Sequence, residues 1–319
     1  MTARRKQGKQ AGAVRAAALA FAVIVTVPLQ AADTDYRLQP EPVAPGTYLV
    51  AGVPENFSRS NGGNIANTAF VVTGAGVVVI DTGPSKRYGQ QLRAAIARVT
   101  AEPVVAVYLT HHHPDHALGN QAFADVPIRA LPGTIEGLRE QSNDFNSNLF
   151  RMVGDWMRGT DPLLPAEAVA AGSVRIGTHE FELIPNAGHT AADLAILDRT
   201  TGTLFSGSVF NGRTPATPNA VIADWIASLD RLAALNAERI VPAVGAITDN
   251  RAIAEDIDWL RWLDETLHEA AGRGADMAEV LRLPIPARFN DFALLREEYE
   301  RSVSHLYPAI ERASLGVRD

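Results

Sequence analysis

Short apolar runs rich in β-branched residues recur through the first half of the chain, and they predict strands. The runs 65–72 and 77–80 are joined by a glycine-rich turn, a composition and spacing typical of a β-hairpin. Farther along the chain, apolar residues at helical intervals predict a helix over residues 88–99. The predicted strands are 48–53, 65–72, 77–80, 104–109 and 128–131.

A second amphipathic helix is predicted between Gly133 and Gly172, because apolar residues there follow the helical period. Two roles are open for this segment. It is either a lid whose aromatic side chains cover a functional site or an element packed against the flank of a sheet. The apolar positions are Phe145, Leu149, Met152, Val153, Trp156 and Met157.

Residues 1–32 have the pattern of a secretory signal peptide: five basic residues, an apolar run at 16–29 and a small-residue cleavage site at Ala31 or Ala32. We therefore expect a periplasmic or secreted protein without a membrane span after cleavage; the alternative is an uncleaved N-terminal anchor. The polar, proline-rich stretch 33–45 predicts a flexible mature N-terminus.

Charge and cysteine content narrow the function. Without the signal, 24 basic residues face 36 acidic ones, a net charge of −12 that disfavours nucleic acid as a partner. The chain has no cysteine, which excludes disulfides, thiolate metal ligands and a cysteine nucleophile. Any metal must therefore be held by nitrogen and oxygen atoms.

Four of the eight histidines lie within residues 110–116, directly after the predicted strand 104–109. His111 and His113 are two positions apart, so in an extended segment their side chains leave on the same face, and His112 leaves on the other. Imidazoles this close repel one another when protonated, so the cluster favours neutral ligands to a metal.

The turn beyond this cluster carries Asp115 and His116, and His189 follows another apolar run at 181–184. Three neutral imidazoles with a water molecule form a zinc site of the catalytic type, and zinc lowers the pKa of that water to about 7. Asp115 is open to three roles: ligand of a second metal, general base towards the metal-bound water, or cap of a helix that starts near Ala117.

Several motifs, in this order, resemble the metallo-β-lactamase superfamily: Gly63-Asn64-Ile65-Ala66-Asn67, Asp81-Thr82-Gly83, His111-x-His113-x-Asp115-His116, Gly188-His189-Thr190 and the strand-like 203–207. The resemblance implies an α/β fold, a four-layer αββα sandwich over 46–250, with a metal site at the sandwich edge. We expect residues 251–319 to form a C-terminal helical extension packed on it. The metal ligands that the resemblance implies are His111, His113, His189, Asp115 and His116, with Asp81 orienting a ligand.

Two positions depart from the superfamily pattern. Ser208 stands where an aspartate usually bridges two metals, and Val244 stands where a further histidine usually binds the second metal. The first site is complete, but only Asp115 and His116 remain for the second. We therefore predict one tightly held zinc ion, with a second weak or absent.

The predicted function is hydrolysis of a small-molecule ester, thioester, lactone or amide, through attack by zinc-bound hydroxide on the carbonyl and with Asp115 orienting or deprotonating water. The alternative is a non-catalytic periplasmic binding or accessory protein that kept the fold. The C-terminal segments 286–289 and 299–303 are also similar to the tail of exported zinc metallohydrolases associated with quinoprotein and sulfur-oxidation systems. The sequence does not predict an oligomeric state.

Overall fold

The computed structural model describes residues 1–3, 8 and 34–316. The predicted signal peptide, residues 1–32, lies outside the described residues except for residues 1–3 and 8. Residues 34–316 form two β-sheets and seven α-helices.

The first sheet contains seven strands in chain order. Strands β1 to β4 pair antiparallel, and β4 to β7 pair parallel. The pairing of β3 with β4 confirms the predicted hairpin. The strands are β1 (Pro40–Ala44), β2 (Thr47–Val50), β3 (Thr68–Val72), β4 (Val77–Ile80), β5 (Val104–Tyr108), β6 (Ile128–Ala130) and β7 (Glu167–Ala168).

The second sheet contains five strands in the order β12-β11-β10-β9-β8. Neighbours from β8 to β11 run antiparallel, whereas β11 and β12 run parallel because α4 crosses between them. The strands are β8 (Gly172–Ile176), β9 (His179–Asn186), β10 (Asp193–Asp198), β11 (Thr203–Phe205) and β12 (Arg239–Val241).

Helices cover the outer face of each sheet. Ser85 begins α1 by accepting a hydrogen bond from the backbone N–H of Tyr88, a normal N-cap contact. The helices are α1 (Lys86–Val99), α2 (Pro114–Ala117), α3 (Pro132–Val153), α4 (Ile222–Ala234), α5 (Asn250–Gly272), α6 (Met277–Val280) and α7 (Leu295–Ser314). Short 3-10 helices span Asn120–Phe123, Gly154–Met157 and Ala287–Phe289.

The burial of β4 shows how the layers are stacked. Val78 and Ile80 pack in the cluster between the two sheets, with Phe181 and Leu194 of the second sheet. Val77 and Val79 point to the opposite face, where they join the core under α1. Alternate side chains of one strand thus enter two different cores, as the two-residue period of a strand requires.

The outer face of the second sheet forms the third core, against α4, α5 and α7. Trp225 of α4, Trp259 of α5 and Tyr299 of α7 are fully buried there, beside Leu204 of β11. The C-terminal helices therefore complete the outer helical layer. This arrangement confirms the predicted α/β four-layer sandwich with C-terminal helices.

The segment 33–45 was predicted to be a flexible terminus, and the structure corrects this prediction. Its residues 40–44 form the edge strand β1, paired with β2 from Pro40 opposite Val50 to Ala44 opposite Thr47. Proline is tolerated on an edge strand because the outward side of that strand needs no N–H donor. A proline-rich composition therefore does not exclude strand pairing at this position.

Within residues 34–316, no helix combines the length and the apolarity needed to cross a bilayer.

Candidate metal centre

The histidine cluster lies where β5 ends and α2 begins. Tyr108 closes the strand, and His113 precedes Pro114, the first residue of α2. Proline at this position sets the backbone for a helix start, so the chain turns immediately after His113. The imidazoles of His111 and His113 approach each other, with 3.1 Å between His111 Nε2 and His113 Nδ1.

His189 reaches the same place from the second sheet, in the loop between β9 and β10. The Asp193 carboxylate accepts hydrogen bonds from the backbone N–H groups of His189 and Thr190 and from the Thr190 hydroxyl, at 2.7–3.1 Å. Gly188 has φ +114°, and a Cβ there would lie 2.0 Å from the backbone nitrogen of Trp225. Only glycine lets this loop lie against α4.

The three histidines have the arrangement that a metal site needs. One nitrogen from each of His111, His113 and His189 lies within 4.8 Å of the others. Among the described residues, they are the one group of three or more His, Cys, Asp or Glu side chains that converges in this way. His111 and His189 are buried, His113 is half-buried, and Nδ1 of His189 has no hydrogen-bond partner.

Hydrogen bonds fix which nitrogens of the other two rings are free. The Thr110 hydroxyl donates to Asp81 at 2.8 Å, so it accepts from Nδ1 of His111, 2.9 Å away. Nε2 of His113 donates to Asn219 Oδ1 at 2.9 Å. The lone pairs of His111 Nε2 and His113 Nδ1 therefore point to the shared position, as ligand atoms do.

Electrostatics keep these imidazoles neutral. Burial, and then the neighbouring histidines, hold the pKa of His111 and of His189 well below the usual value. Burial also lowers the pKa of His113, although Asp115 opposes this. Neutral imidazole is the form that binds a metal, so the residues present fit a metal ion, and the triad forms a metal site.

Asp115 and His116 lie beside the triad but outside the converging group. Nε2 of His116 is 3.9 Å from the Asp115 carboxylate, and its Nδ1 donates to Asp81 at 2.7 Å. Burial lowers the pKa of His116, but Asp81 and Asp115 outweigh it, so the pKa is raised overall. The Nδ1 of His116 is held by Asp81, and its Nε2 faces Asp115.

Asp81 makes the contacts of a residue that orients ligands. Besides His116, its carboxylate accepts from the backbone N–H and the hydroxyl of Thr110, each at 2.8 Å. Its backbone has φ +61°, a conformation that is uncommon outside glycine. The three donors keep the side chain in place despite this conformation.

The two departures from the superfamily pattern are both buried. Val244 lines the cavity over the triad and offers no donor atom. Ser208 Oγ lies 3.4 Å from the Ser206 carbonyl, and the Ser208 carbonyl accepts from the Trp225 indole N–H at 3.1 Å. His112 is not a ligand: its ring stacks on Phe145 of α3 at 6.0 Å, away from the converging group.

A cavity of about 470 Å³ opens above the triad. Helix α3 forms one wall through Phe145, Leu149 and Met152, while Leu149 also packs in a small core with Leu118. The helix thus packs on the residue that follows α2 and also lines the cavity, and its role as a lid stays a prediction. The exposed end of the helix carries Phe150, which is 52% exposed.

Several cavity residues were not predicted from the sequence. Asn219 and Arg213 come from the long loop before α4, and Arg301 and His305 come from α7. Single polar residues in a loop or on a helix carry no local pattern, and only the packing of α7 against this loop brings them to the metal site. Phe210 lies beside His189, with 5.6 Å between the ring centroids.

Loops at one edge of a sandwich of two mixed sheets hold three neutral imidazoles. This arrangement defines a metal-binding α/β protein of the hydrolase type. Residues 61–244 match the family model of the metallo-β-lactamase superfamily, and the chain belongs to that superfamily. The narrower similarity to quinoprotein and sulfur-oxidation-associated hydrolases stays a prediction.

Comparisons with known proteins agree with this assignment. The chain is 22% identical to the linear primary-alkylsulfatase of Pseudomonas sp., covering 76% of this chain and 54% of the relative. It is 25% identical to the beta-lactamase-like protein 2 homolog of Caenorhabditis elegans, covering 60% and 59%. The chain thus spans less than two thirds of the length of these relatives. The metallo-beta-lactamase from Pontibacter korlensis shares the fold, with a TM-score of 0.58 and 20% identity over 70% of this chain and 99% of that one.

Proposed function

We propose that this protein is an exported zinc-dependent hydrolase that cleaves an ester, thioester, lactone or amide of a small molecule at the carbonyl carbon. The observation that carries the proposal is the neutral triad His111, His113 and His189 in one cavity with the Asp115 carboxylate. Export to the periplasm or the medium rests on the signal-peptide pattern of residues 1–32.

The donor set favours zinc. Three imidazole nitrogens with no thiolate form a set that zinc uses when a fourth position is kept open for substrate or water. When bound, zinc acts as a Lewis acid that polarises a carbonyl oxygen and acidifies water. His111, His113 and His189 would hold it, with Asn219 and Thr110 fixing the tautomers of two of the rings.

Asp115 is the proposed proton acceptor. Its side chain is 13% exposed and lines the cavity, in the first turn of α2, directly after the ligand loop. A carboxylate at this position takes a proton from water as the water attacks the carbonyl carbon, and then passes it to the leaving group. Apolar side chains from α3 and Phe210 limit the access of bulk water.

We also propose that only one zinc ion is tightly held. Asp115 and His116 are the remaining donors for a second ion, and the hydrogen bond from His116 Nδ1 to Asp81 leaves its Nε2 as the one ring nitrogen that could bind a metal. Val244 closes the adjacent wall with an aliphatic side chain. Two protein donors alone bind a second ion poorly against water.

Metal analysis and hydrolysis assays test the proposal together. We expect about one zinc ion per purified chain, and hydrolysis of ester or thioester substrates that a chelator abolishes and zinc restores. His189→Ala should lose both zinc and turnover, whereas His268→Ala, at an exposed site on α5, should lose neither. Less than stoichiometric zinc would refute the zinc hydrolase if the protein also shows no turnover, or only turnover that a chelator does not abolish.

The role of Asp115 needs its own variant. Asp115→Asn should keep the zinc content, because the three imidazoles are untouched, and should lower kcat about 100-fold or more. Unchanged kcat would mean that Asp115 is not the proton acceptor.

A non-catalytic periplasmic binding or accessory protein is the second candidate. The observation that favours it is the loss of donor atoms at Ser208 and Val244, which removes most of a second metal site. This candidate predicts stoichiometric zinc without chelator-sensitive hydrolysis of any substrate in the screen.

A further inference from the structure

One wall of the cavity carries two arginines that share a single carboxylate oxygen. Arg213 donates from Nη2 to Glu298 Oε1 at 3.0 Å, and Arg301 donates from Nη1 to the same oxygen at 2.5 Å. The side chains of Arg213 and Glu298 are 4% and 0% exposed, whereas that of Arg301 is 39% exposed. Two guanidinium groups against one carboxylate leave one positive charge uncompensated.

The uncompensated charge lies at the cavity surface. The other contact of Arg301 is neutral, a hydrogen bond from Nη2 to Asn56 Oδ1 at 3.2 Å. Both Arg213 and Arg301 line the cavity, and the buried Nε of Arg213 has no hydrogen-bond partner. Among the described residues that line the cavity, Asp115 is the one carboxylate, and it lies beside the metal triad.

This local charge contrasts with the chain as a whole, which carries a net charge of −7. A positive cavity wall on an acidic protein selects for negatively charged ligands inside the cavity and not for polyanions over the whole surface. Guanidinium groups bind carboxylate-type oxyanions through paired, charge-assisted hydrogen bonds.

The rest of the cavity is apolar. Phe57, Phe145, Leu149 and Met152 form a wall that would bury a hydrocarbon chain or a ring. A ligand that fits these walls therefore has an apolar body and one anionic end, with its reacting group at the triad.

We propose that Arg301, supported by Arg213 and Glu298, binds a carboxylate of the substrate, and that the substrate is an anionic ester with an apolar body. This inference rests on the proposed hydrolytic function, and it adds the class of substrate. Arg301 binds the end of the substrate that does not react, so it fixes orientation and takes no part in bond cleavage.

A matched pair of substrates tests the inference on the zinc-loaded full chain. Nitrophenyl hexanoate and the nitrophenyl half-ester of adipic acid have acyl chains of equal length, and only the second carries a carboxylate. We expect Arg301→Gln to lower the ratio of kcat/KM for the anionic ester over the neutral ester about tenfold or more. Arg301→Lys should retain part of this preference, because it keeps the charge but not the paired hydrogen bonds.

Arg312→Gln is the matched control, since it removes the same charge from an exposed position of the same helix. It should leave the ratio unchanged. If Arg301→Gln lowers kcat/KM for both esters equally, the inference is wrong. It is also wrong if Arg312→Gln shifts the ratio as much as Arg301→Gln does.

A binding measurement separates this inference from the proposed function. Hexanamide and adipic acid monoamide place an amide at the reacting end, and calorimetry measures their affinity without turnover. If no ester is hydrolysed but Arg301→Gln weakens the binding of adipic acid monoamide and not that of hexanamide, the hydrolase proposal fails and the carboxylate subsite stands. Equal affinity of that ligand for the wild type and Arg301→Gln overturns the subsite, whatever the turnover.

Discussion

We expect Asp193 to affect zinc affinity although its side chain is not one of the metal-binding groups. Its carboxylate is 2% exposed and accepts from the backbone N–H groups of His189 and Thr190 and from the Thr190 hydroxyl. Burial raises the pKa of Asp193 to about 6, so the group is mostly ionised at pH 7.5 and accepts all three donors. These bonds define the loop that presents His189.

The substitution Asp193→Asn leaves one acceptor oxygen for three donors. At least one buried donor then lacks a partner, which costs about 1–3 kcal/mol in the free energy of unfolding. The loop also loses its fixed geometry, and the loss of groups that support a metal ligand lowers metal affinity about 10–100-fold. Urea denaturation of the zinc-free protein measures the first effect, and competition with a chromophoric chelator measures the second.

Asp198 provides a matched control at the other end of the same strand, β10. It is 0% exposed and also accepts three hydrogen bonds, from His179 Nδ1, the backbone N–H of Thr200 and the Thr201 hydroxyl. We expect Asp198→Asn to lose a similar amount of stability and to keep wild-type zinc affinity. Equal losses of zinc affinity in Asp193→Asn and Asp198→Asn would refute the reasoning, because stability alone would then explain both.

Three further predictions address the metal site and the buried core beside it. Asn219→Ala should weaken zinc binding about tenfold, because His113 Nε2 loses its acceptor; unchanged affinity in the chelator competition would contradict this. Burial raises the folded-state pKa of Asp256 well above the usual value. The contribution of Asp256 to stability is therefore fully present below the unfolded pKa, about 4, and is lost as pH rises through the folded pKa. The unfolding free energy of Asp256→Asn should therefore fall less with rising pH than that of the wild type, and parallel pH profiles would disprove it. Ser208→Asp combined with Val244→His should raise the zinc content from about one towards two per chain, and unchanged metal analysis would mean that these positions do not match the superfamily ligands.

The core of the metal centre was predictable because its residues are close in sequence or follow strands. His111 and His113 lie directly after β5, and His189 follows β9, so the apolar run before each one indicates its position at a strand end. The hairpin of β3 and β4 was predictable for the same reason, since a glycine-rich turn joins two β-type runs. Sequence periodicity predicts these elements because their structure depends on residues that are close in sequence.

Other features depend on contacts that no local pattern encodes. The strand β1 pairs with β2 although its composition, Pro-Glu-Pro-Val-Ala, favours a loop, because the edge position tolerates proline. Asn219 contacts His113 across more than a hundred residues of chain, and Arg301 contacts Asn56 across an even longer separation. Predicting such pairs requires the packing of α7 and the loop before α4, and one sequence does not determine that packing.

The origin of each part of the cavity separates what constrains the reaction from what constrains the substrate. The ligands come from strand ends of both sheets, and backbone hydrogen bonds and buried carboxylates hold them. The walls include residues of α3 and α7, two helices that contribute no histidine to the triad. Helix α7 is nevertheless held firmly, because Tyr299 and Val303 on either side of Arg301 are fully buried in the outer core. Since a guanidinium on a core-packed helix loses little conformational freedom when it binds, Arg301 is placed to select a substrate while the triad sets the chemistry.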